Sequence, residues 1–385
     1  MRLTSKASVA LTTRQIGVNT MLNFSNGVFK KGGMSSAGLT LVAAAALASF
    51  NAQAREISYA SASPPVDTGI NQALEWWSNE LEKRTDGEVT VKVHYMGSLV
   101  KLKDAVEGIS SGVADAGYVI PAYSQARMPL HYLSTTGVGS GDQYVTTQAW
   151  RRMYNKFPQL KEELDRNNMV YLSHYSIGPG VLLSKDKPYF TPEDFGGDKI
   201  RLASRWAKAA SLEGWNVTPV NLTFPDIYTA LERGTVDGAQ SYLNYVLPYR
   251  HHEIANHVVE PNMGQQTNIV VMNKRVYENL SDEARAAIEE LKDEWLLRNA
   301  RGDIEDNEDA REELENDPEY PTKVHMVSEE QREAWAKAIK GAEQENIEKT
   351  KARAEVAPEL YEAYLAEIEK IEQEVKENGY PWDKD

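Results

Sequence analysis

The sequence contains no cysteine. That absence excludes disulfides, iron–sulfur clusters, thiolate zinc sites, a cysteine nucleophile and a lipidated N-terminal cysteine. Positive charge is also short: 42 Lys and Arg stand against 57 Asp and Glu, for a formal net charge of −15. Phosphate binding needs clustered Lys and Arg, so no nucleic-acid partner is expected. Signatures of chemistry are equally scarce. There is no P-loop or kinase motif. "GVGSG" (137–141) lies between no clear strand and helix and is not read as a phosphate loop. In "HHEIANH", His252-Glu253 begins like an HExxH zinc helix, but His257 comes one residue too late. The extra residue turns the second ring about 140° round the helix from the first, so no metal site is expected. His94, His131, His174 and His325 are scattered and read as surface or packing residues. Without a paired acid/base or nucleophile constellation, neither an enzyme nor a cofactor is expected.

What is present is enough to fold. A chain of 385 residues points to two domains, and 41% apolar content supplies real cores. Residues 1–54 carry five basic side chains (Arg2, Lys6, Arg14, Lys30, Lys31) and no acid. Lys30 and Lys31 precede "AGLTLVAAAALASF", an apolar run of 14 residues followed by "NAQA". The run is shorter than the ~20 residues that span a bilayer. Ala52 and Ala54 form the A-x-A pattern of signal-peptidase cleavage. The expectation is a signal peptide and leader over 1–54, translation starting at Met1 or Met21, and an exported, periplasmic protein beginning near Arg55. Removing five positive charges from −15 leaves the mature chain at −20. Such an acidic surface fits a salt-adapted organism, since salt screens the self-repulsion.

From Arg55 onward strand and helix patterns alternate. "EISYASA" and "EVTVKVHY" read as strands, "GINQALEWWSNELEKRTDG" as an amphipathic helix closed by Gly87, "LKDAVEGISSG" as a helix and "VADAGYVI" as a strand. A helix around "TTQAWRRMYNKFPQLKEELDRN" and a strand "MVYLSHYS" lead to "IGPG", a Gly-Pro cluster suited to crossing between lobes. The pattern then restarts. "TPEDFGG" is a turn capped by Thr191 with Pro192 behind it, "KIRLA" a strand, "SRWAKAASLEG" a helix, "VTPVNL" a strand and "FPDIYTALERG" a helix. Residues 281–378 read as nearly continuous charged helix. Within them "DIEDNEDAREELEND" (303–317) holds nine acids and one base and is taken as a solvated face or loop. Two α/β lobes place a ligand where loops at the strand C-terminal ends meet.

Within "KIRLA", Ile200 and Leu202 share one face and Arg201 the other. An arginine inside an apolar strand needs a partner. Two readings are open: a structural salt bridge, or a side chain pointing from the strand end into the cleft, where its planar fork holds a carboxylate.

"TPEDFGGDKIRLAS", "LTFPDIYTALERGTVDGAQ" and "VVMNKRVYENLSDE" resemble successive signature segments of the DctP-type solute-binding proteins of TRAP transporters. "EVTVKVHYMGSL" and "GISSGVADAGYVIPAY" resemble that family's early segments, and the similarity runs from about 56 to 340. The resemblance implies an α/β, two-lobed periplasmic-binding-protein-like fold with a ligand cleft and a long C-terminal helical region. On this basis lobe I is expected over 55–177 with 266–305 returning to it, and lobe II over 178–265, with helices 306–385 packing across both. It further implies hinge closure on a small organic acid and delivery to membrane permease subunits, the binding protein itself being a monomer. Arg201 matches the arginine that grips the ligand carboxylate. The family's second arginine aligns with Gly180, and its ligand asparagine with Ser241. A monocarboxylate is therefore expected, with an amine or zwitterionic osmolyte as the alternative ligand, or a secreted enzyme using the same cleft; a sensing role is not separable from transport. Trp206, Tyr118, Tyr123, Tyr242 and Tyr245 fall where the family lines its pocket. Gln240, Asn244, Thr267 and Asn268 are the candidate neutral hydrogen-bonding groups.

Overall fold

The computed structural model describes residues 54–135, 139–261 and 265–384. The expected leader, with Ala52, and Gly137-Val138 of the glycine-rich stretch lie outside the described residues.

Two sheets organise the chain. The first comprises β1 (Arg55–Ala60), β2 (Val89–His94), β3 (Ala116–Val119), β4 (Met169–Ile177) and β10 (Gln266–Asn273), in the order β2-β1-β3-β10-β4. β1 pairs in parallel with β2 and β3, whereas β10 runs antiparallel to β3 and β4. The second comprises β5 (Gly180–Ser184), β6 (Lys199–Arg201), β7 (Thr218–Val220), β8 (Gly238–Tyr242), β9 (His257–Glu260) and β11 (Lys323–Met326), in the order β11-β9-β5-β8-β6-β7. The chain passes from the first sheet to the second through Gly178-Pro179, between β4 and β5, and returns between β9 and β10. Gln265, on the returning strand, donates from Nε2 to the Gly141 carbonyl.

Local chemistry accounts for the elements that frame the cleft. α1 (Gly69–Arg84) starts at Thr68, whose hydroxyl accepts from the Asn71 N–H. In the turn at Thr191, the hydroxyl and the Asp194 carboxylate cap each other's backbone, and Gly196 closes it at φ 58°. The other helices that matter below are α2 (Ala105–Ser111), α3 (Pro129–Tyr132), α4 (Gln143–Lys156), α5 (Pro158–Arg166), α6 (Ser204–Glu213), α7 (Ile227–Glu232), α8 (Leu243–Val246) and α9 (Lys274–Glu278).

The C-terminal third differs from the sequence expectation in two ways. First, α10 (Asp282–Asn316) is a single helix, capped by Ser281 and opened by Asp282 and Glu283 against its N-terminal dipole. The acidic run 303–317 is its second half, and it is not wholly solvated. Along one stripe Ile288, Leu291, Trp295, Asn299, Asp303, Asn307, Ala310 and Leu314 are buried, because the helix passes between the two sheets' helices. Trp295 stacks on Trp77 of α1 with ring centroids 4.4 Å apart. One crossing needs glycine on both helices: a Cβ on Gly69 would lie 2.3 Å from the Gly302 backbone. Second, β11 interrupts the helical region as an edge strand paired in parallel with β9. Four residues are too few for a readable period. α11 (Glu329–Lys351) then packs on α6, and α12 (Ala357–Asn378) on α4.

The largest apolar cluster joins both sheets, bringing Tyr59, Tyr118 and Tyr175 together with Phe224, Tyr242, Tyr245 and Tyr249. The cleft between the sheets is therefore shut on aromatic surface. Among the described residues no helix is long and apolar enough to cross a membrane.

Candidate functional site

β6 lies between β7 and β8 and ends at Arg201, next to the N-terminus of α6. Arg201 is 2% exposed. Its Nε donates to the Leu222 carbonyl at 2.9 Å, and its Nη1 to the Gln240 carbonyl and Oε1 at 2.6 and 3.1 Å. The guanidinium carbon sits 4.6 Å from the centre of the Phe224 ring. No carboxylate lies within ion-pair distance among the described residues, where its hydrogen bonds run from Nε and Nη1 to neutral oxygens. A structural salt bridge does not account for this arginine.

One turn on, Arg205 repeats the situation. It is 8% exposed, donates from Nη1 to the Thr135 carbonyl at 3.3 Å, and has a buried Nη2 with no acceptor among the described residues. Its guanidinium lies 5.7 Å from the Trp206 ring, and burial lowers its pKa. Both arginines bear on the Tyr242 hydroxyl, whose pKa burial raises.

Tyr242 carries the site across to the first sheet. Its hydroxyl donates to Gln266 Oε1 at 3.3 Å, and Gln266 Nε2 donates to Asn268 Oδ1 at 2.9 Å. Asn268 Nδ2 is buried beside Tyr175, with no partner at full hydrogen-bond geometry among the described residues. A ring-to-ring path runs from Tyr242 through Phe224, Tyr245 and Tyr249 to His251, on which Tyr249 stacks at 5.7 Å. Burial, with the Arg201 charge behind it, depresses the His251 pKa to about 3 and keeps the ring neutral.

The structure thus brings Arg201, Gln240 and Tyr242 together, with Tyr123 close enough to bear on Tyr242, and Asn268 one hydrogen bond beyond Gln266. Tyr118 stands on the same face of the first sheet, edge-on to Tyr175, its pKa raised to about 12 by burial. Four expected positions point elsewhere. Ser241 is the direct cross-strand partner of Val181, on the face of β8 opposite Gln240 and Tyr242. Asn244 donates to Asp303 Oδ1 at 2.7 Å and is tied to α10. Thr267 bonds Ser176 at 3.1 Å, on the opposite face of β10 from Asn268. Trp206 packs on Trp335 of α11 at 5.4 Å and presents its ring to Arg205 rather than to Arg201. Gly180 faces Tyr242: a Cβ there would lie 3.9 Å from its ring.

Sequence reasoning missed Arg205, Phe224, Gln266, His251 and Glu343. For Arg205 a signal existed. A cation in the first turn of a helix opposes the macrodipole, and α6 has no acid there to offset it. The histidines of "HHEIANH" do not converge: His252 approaches Asp317 at 3.8 Å, while His257 meets His325 at 3.1 Å. Among the described residues no group of three acids, histidines or cysteines suits a metal.

Two sheets crossed twice by the chain, shut over buried cations and aromatic rings, define a two-lobed binding protein of the solute-capturing kind. The chain belongs to the bacterial extracellular solute-binding proteins, family 7 (DctP), whose family model matches residues 60–350. It is 26% identical over 236 residues to a solute-binding protein of Chromohalobacter salexigens, covering 57% of this chain and 65% of that protein. It is 22% identical over 294 residues to the ectoine-binding periplasmic protein TeaA of Halomonas elongata, covering 74% and 82%. A TRAP periplasmic solute-binding protein from Bordetella bronchiseptica, solved with bound mandelate, superimposes with a TM-score of 0.71 at 24% identity, covering 82% of this chain and 99% of that one. The expected family and two-lobed α/β fold with a helical C-terminal region are thereby borne out.

Proposed function

We propose that this protein is the periplasmic solute-binding subunit of a TRAP-type transporter, capturing a small organic acid by hinge closure and passing it to membrane permease subunits. The observation that carries the reading is Arg201, buried at the cleft with no carboxylate partner among the described residues. A guanidinium desolvated in this way costs several kcal/mol unless an anion meets it. The ligand carboxylate is that anion, held through Nη2. Closure follows from differential affinity, because the ligand touches both sheets' residues only when the cleft is shut. The expectation of a monocarboxylate rested on Gly180 and Ser241 standing where the family has a second arginine and an asparagine; Arg205 supplies a second buried cation from a different position. A cationic head group fits poorly, since two guanidiniums already face the aromatic residues.

A thermal-shift screen of organic acids identifies a binder through its mass-action stabilisation, and titration calorimetry then compares wild type with Arg201→Ala. Losing a charge-assisted contact to a buried guanidinium is expected to weaken binding by roughly 2–5 kcal/mol, or about 30-fold or more. Unchanged affinity in a folded Arg201→Ala variant refutes the clamp. Mass spectrometry of the acid after incubation separates binding from turnover.

A further inference from the structure

The reading above uses Arg201 and leaves Arg205 without a role. Resting on that reading, we propose that Arg205 is a second ligand anchor, taking an anionic group at the far end of the solute, and that Glu343 competes with that group for the guanidinium.

Three observations converge on Arg205. It stands at the N-terminal end of α6, beside the C-terminal end of β6, where ligands of α/β folds bind. It is buried with Nη2 unpartnered, and no carboxylate lies within ion-pair distance among the described residues. The charges of both Arg205 and Arg201 act on the Tyr242 hydroxyl, so the two cations lie within electrostatic range of one group. A solute with a single acid group leaves one of these charges desolvated and unmatched. A diacid meets both.

Glu343, on α11, lies within range of the Arg205 charge, and its Oε1 is buried with no hydrogen-bond partner among the described residues. The charged groups that act on it are Arg205 from α6 and Lys340 from its own helix. Neighbouring charges are otherwise engaged: Lys208 of α6 pairs with Glu345 at 3.0 Å, and Glu213 lies against Gly341. Among the described residues α12 and the short turns 133–135 and 192–195, which also touch α11, bring no charged contact to Glu343. Burial lifts its pKa to about 7. An anion arriving at Arg205 repels an ionised Glu343 and lifts that pKa further. Binding of a diacid therefore takes up a proton, and its affinity falls as pH rises through neutrality. A monoacid held at Arg201 lacks this dependence.

Titration calorimetry on the full chain tests this with acids matched in skeleton: succinate with butyrate, glutarate with valerate, phthalate with benzoate, at about pH 6.5 and pH 8.5, with affinities expressed per fully ionised acid. The diacid of a binding pair is expected to be at least about tenfold tighter than its monoacid at the lower pH, with the margin shrinking several-fold at the higher. Arg205→Met is expected to collapse the margin between diacid and monoacid. Glu343→Gln is expected to hold the low-pH margin at both values. A monoacid as tight as its diacid overturns the second anchor and leaves the Arg201 clamp standing. Failure of every pair to bind overturns both. Should Arg205→Met not fold, Glu343→Gln decides: an unchanged pH dependence of the margin overturns the competition.

Discussion

Asp303 is the residue at which burial and charge conflict most sharply. It is fully buried midway along α10, accepts from Asn244 Nδ2 at 2.7 Å through Oδ1, and has an Oδ2 with no partner. Burial, reinforced by the charge of Asp306, holds its pKa well above the usual carboxylate range. The sign of the consequence follows. Below the unfolded value of about 4 both states are protonated, and the native state gains its full benefit. As pH rises, the unfolded chain ionises while the native one keeps its proton. Stability then falls by about 1.4 kcal/mol per pH unit until the native pKa is passed. Asn at this position keeps the acceptor for Asn244 and carries no charge. Asp303→Asn is therefore expected to gain roughly 1–3 kcal/mol at pH 8, the scale of an unsatisfied buried polar group, and nothing near pH 4. In melting temperature that is about 2–4 °C per kcal/mol for a domain of some 150–250 residues, and less for a longer chain. Calorimetric melts of both proteins between about pH 4 and pH 8.5 make the comparison. If Asp303→Asn melts lower than wild type by the same amount at every pH, the carboxylate is ionised and engaged in the native state, and the reasoning is wrong.

Further expectations concern the frame of the cleft. Gly69→Ala drives a methyl group into the Gly302 backbone and is expected to lower stability by about 1–3 kcal/mol, read as a melting-temperature drop, with an unchanged melt disproving the contact. Tyr249→Phe removes the 3.0 Å bond from the second-sheet side to the Ala62 carbonyl. It is expected to weaken acid binding by about fivefold, the equivalent of ~1 kcal/mol, with little change in the melt of the free protein. An unchanged dissociation constant would show that the bond does not contribute to closure. Trp295→Ala loses the stack on Trp77 and is expected to cost about 3–5 kcal/mol, visible in urea unfolding.

Elements with a local cause were legible from the sequence. The alternation in "EVTVKVHY", the cap at Thr191 and the Gly-Pro crossing after β4 depend on neighbours in the chain, and the structure repeats them. Arg201 was legible for a related reason: a cation inside an apolar strand conflicts with its own surroundings wherever the strand packs. Strand parity decided the rest of the list. Whether Ser241 or Gln240, Thr267 or Asn268, faces the cleft depends on which side of each sheet the helices cover, and that is a tertiary choice. Asn244 was lost to α10 because a helix 59 residues further along the chain brings Asp303 against it. The same helix turned an acidic run read as solvated into a half-buried stripe. Arg205 and Glu343 illustrate the limit most plainly. They lie far apart in sequence, and only the packing of α11 on α6 brings the carboxyl within range of the guanidinium's charge.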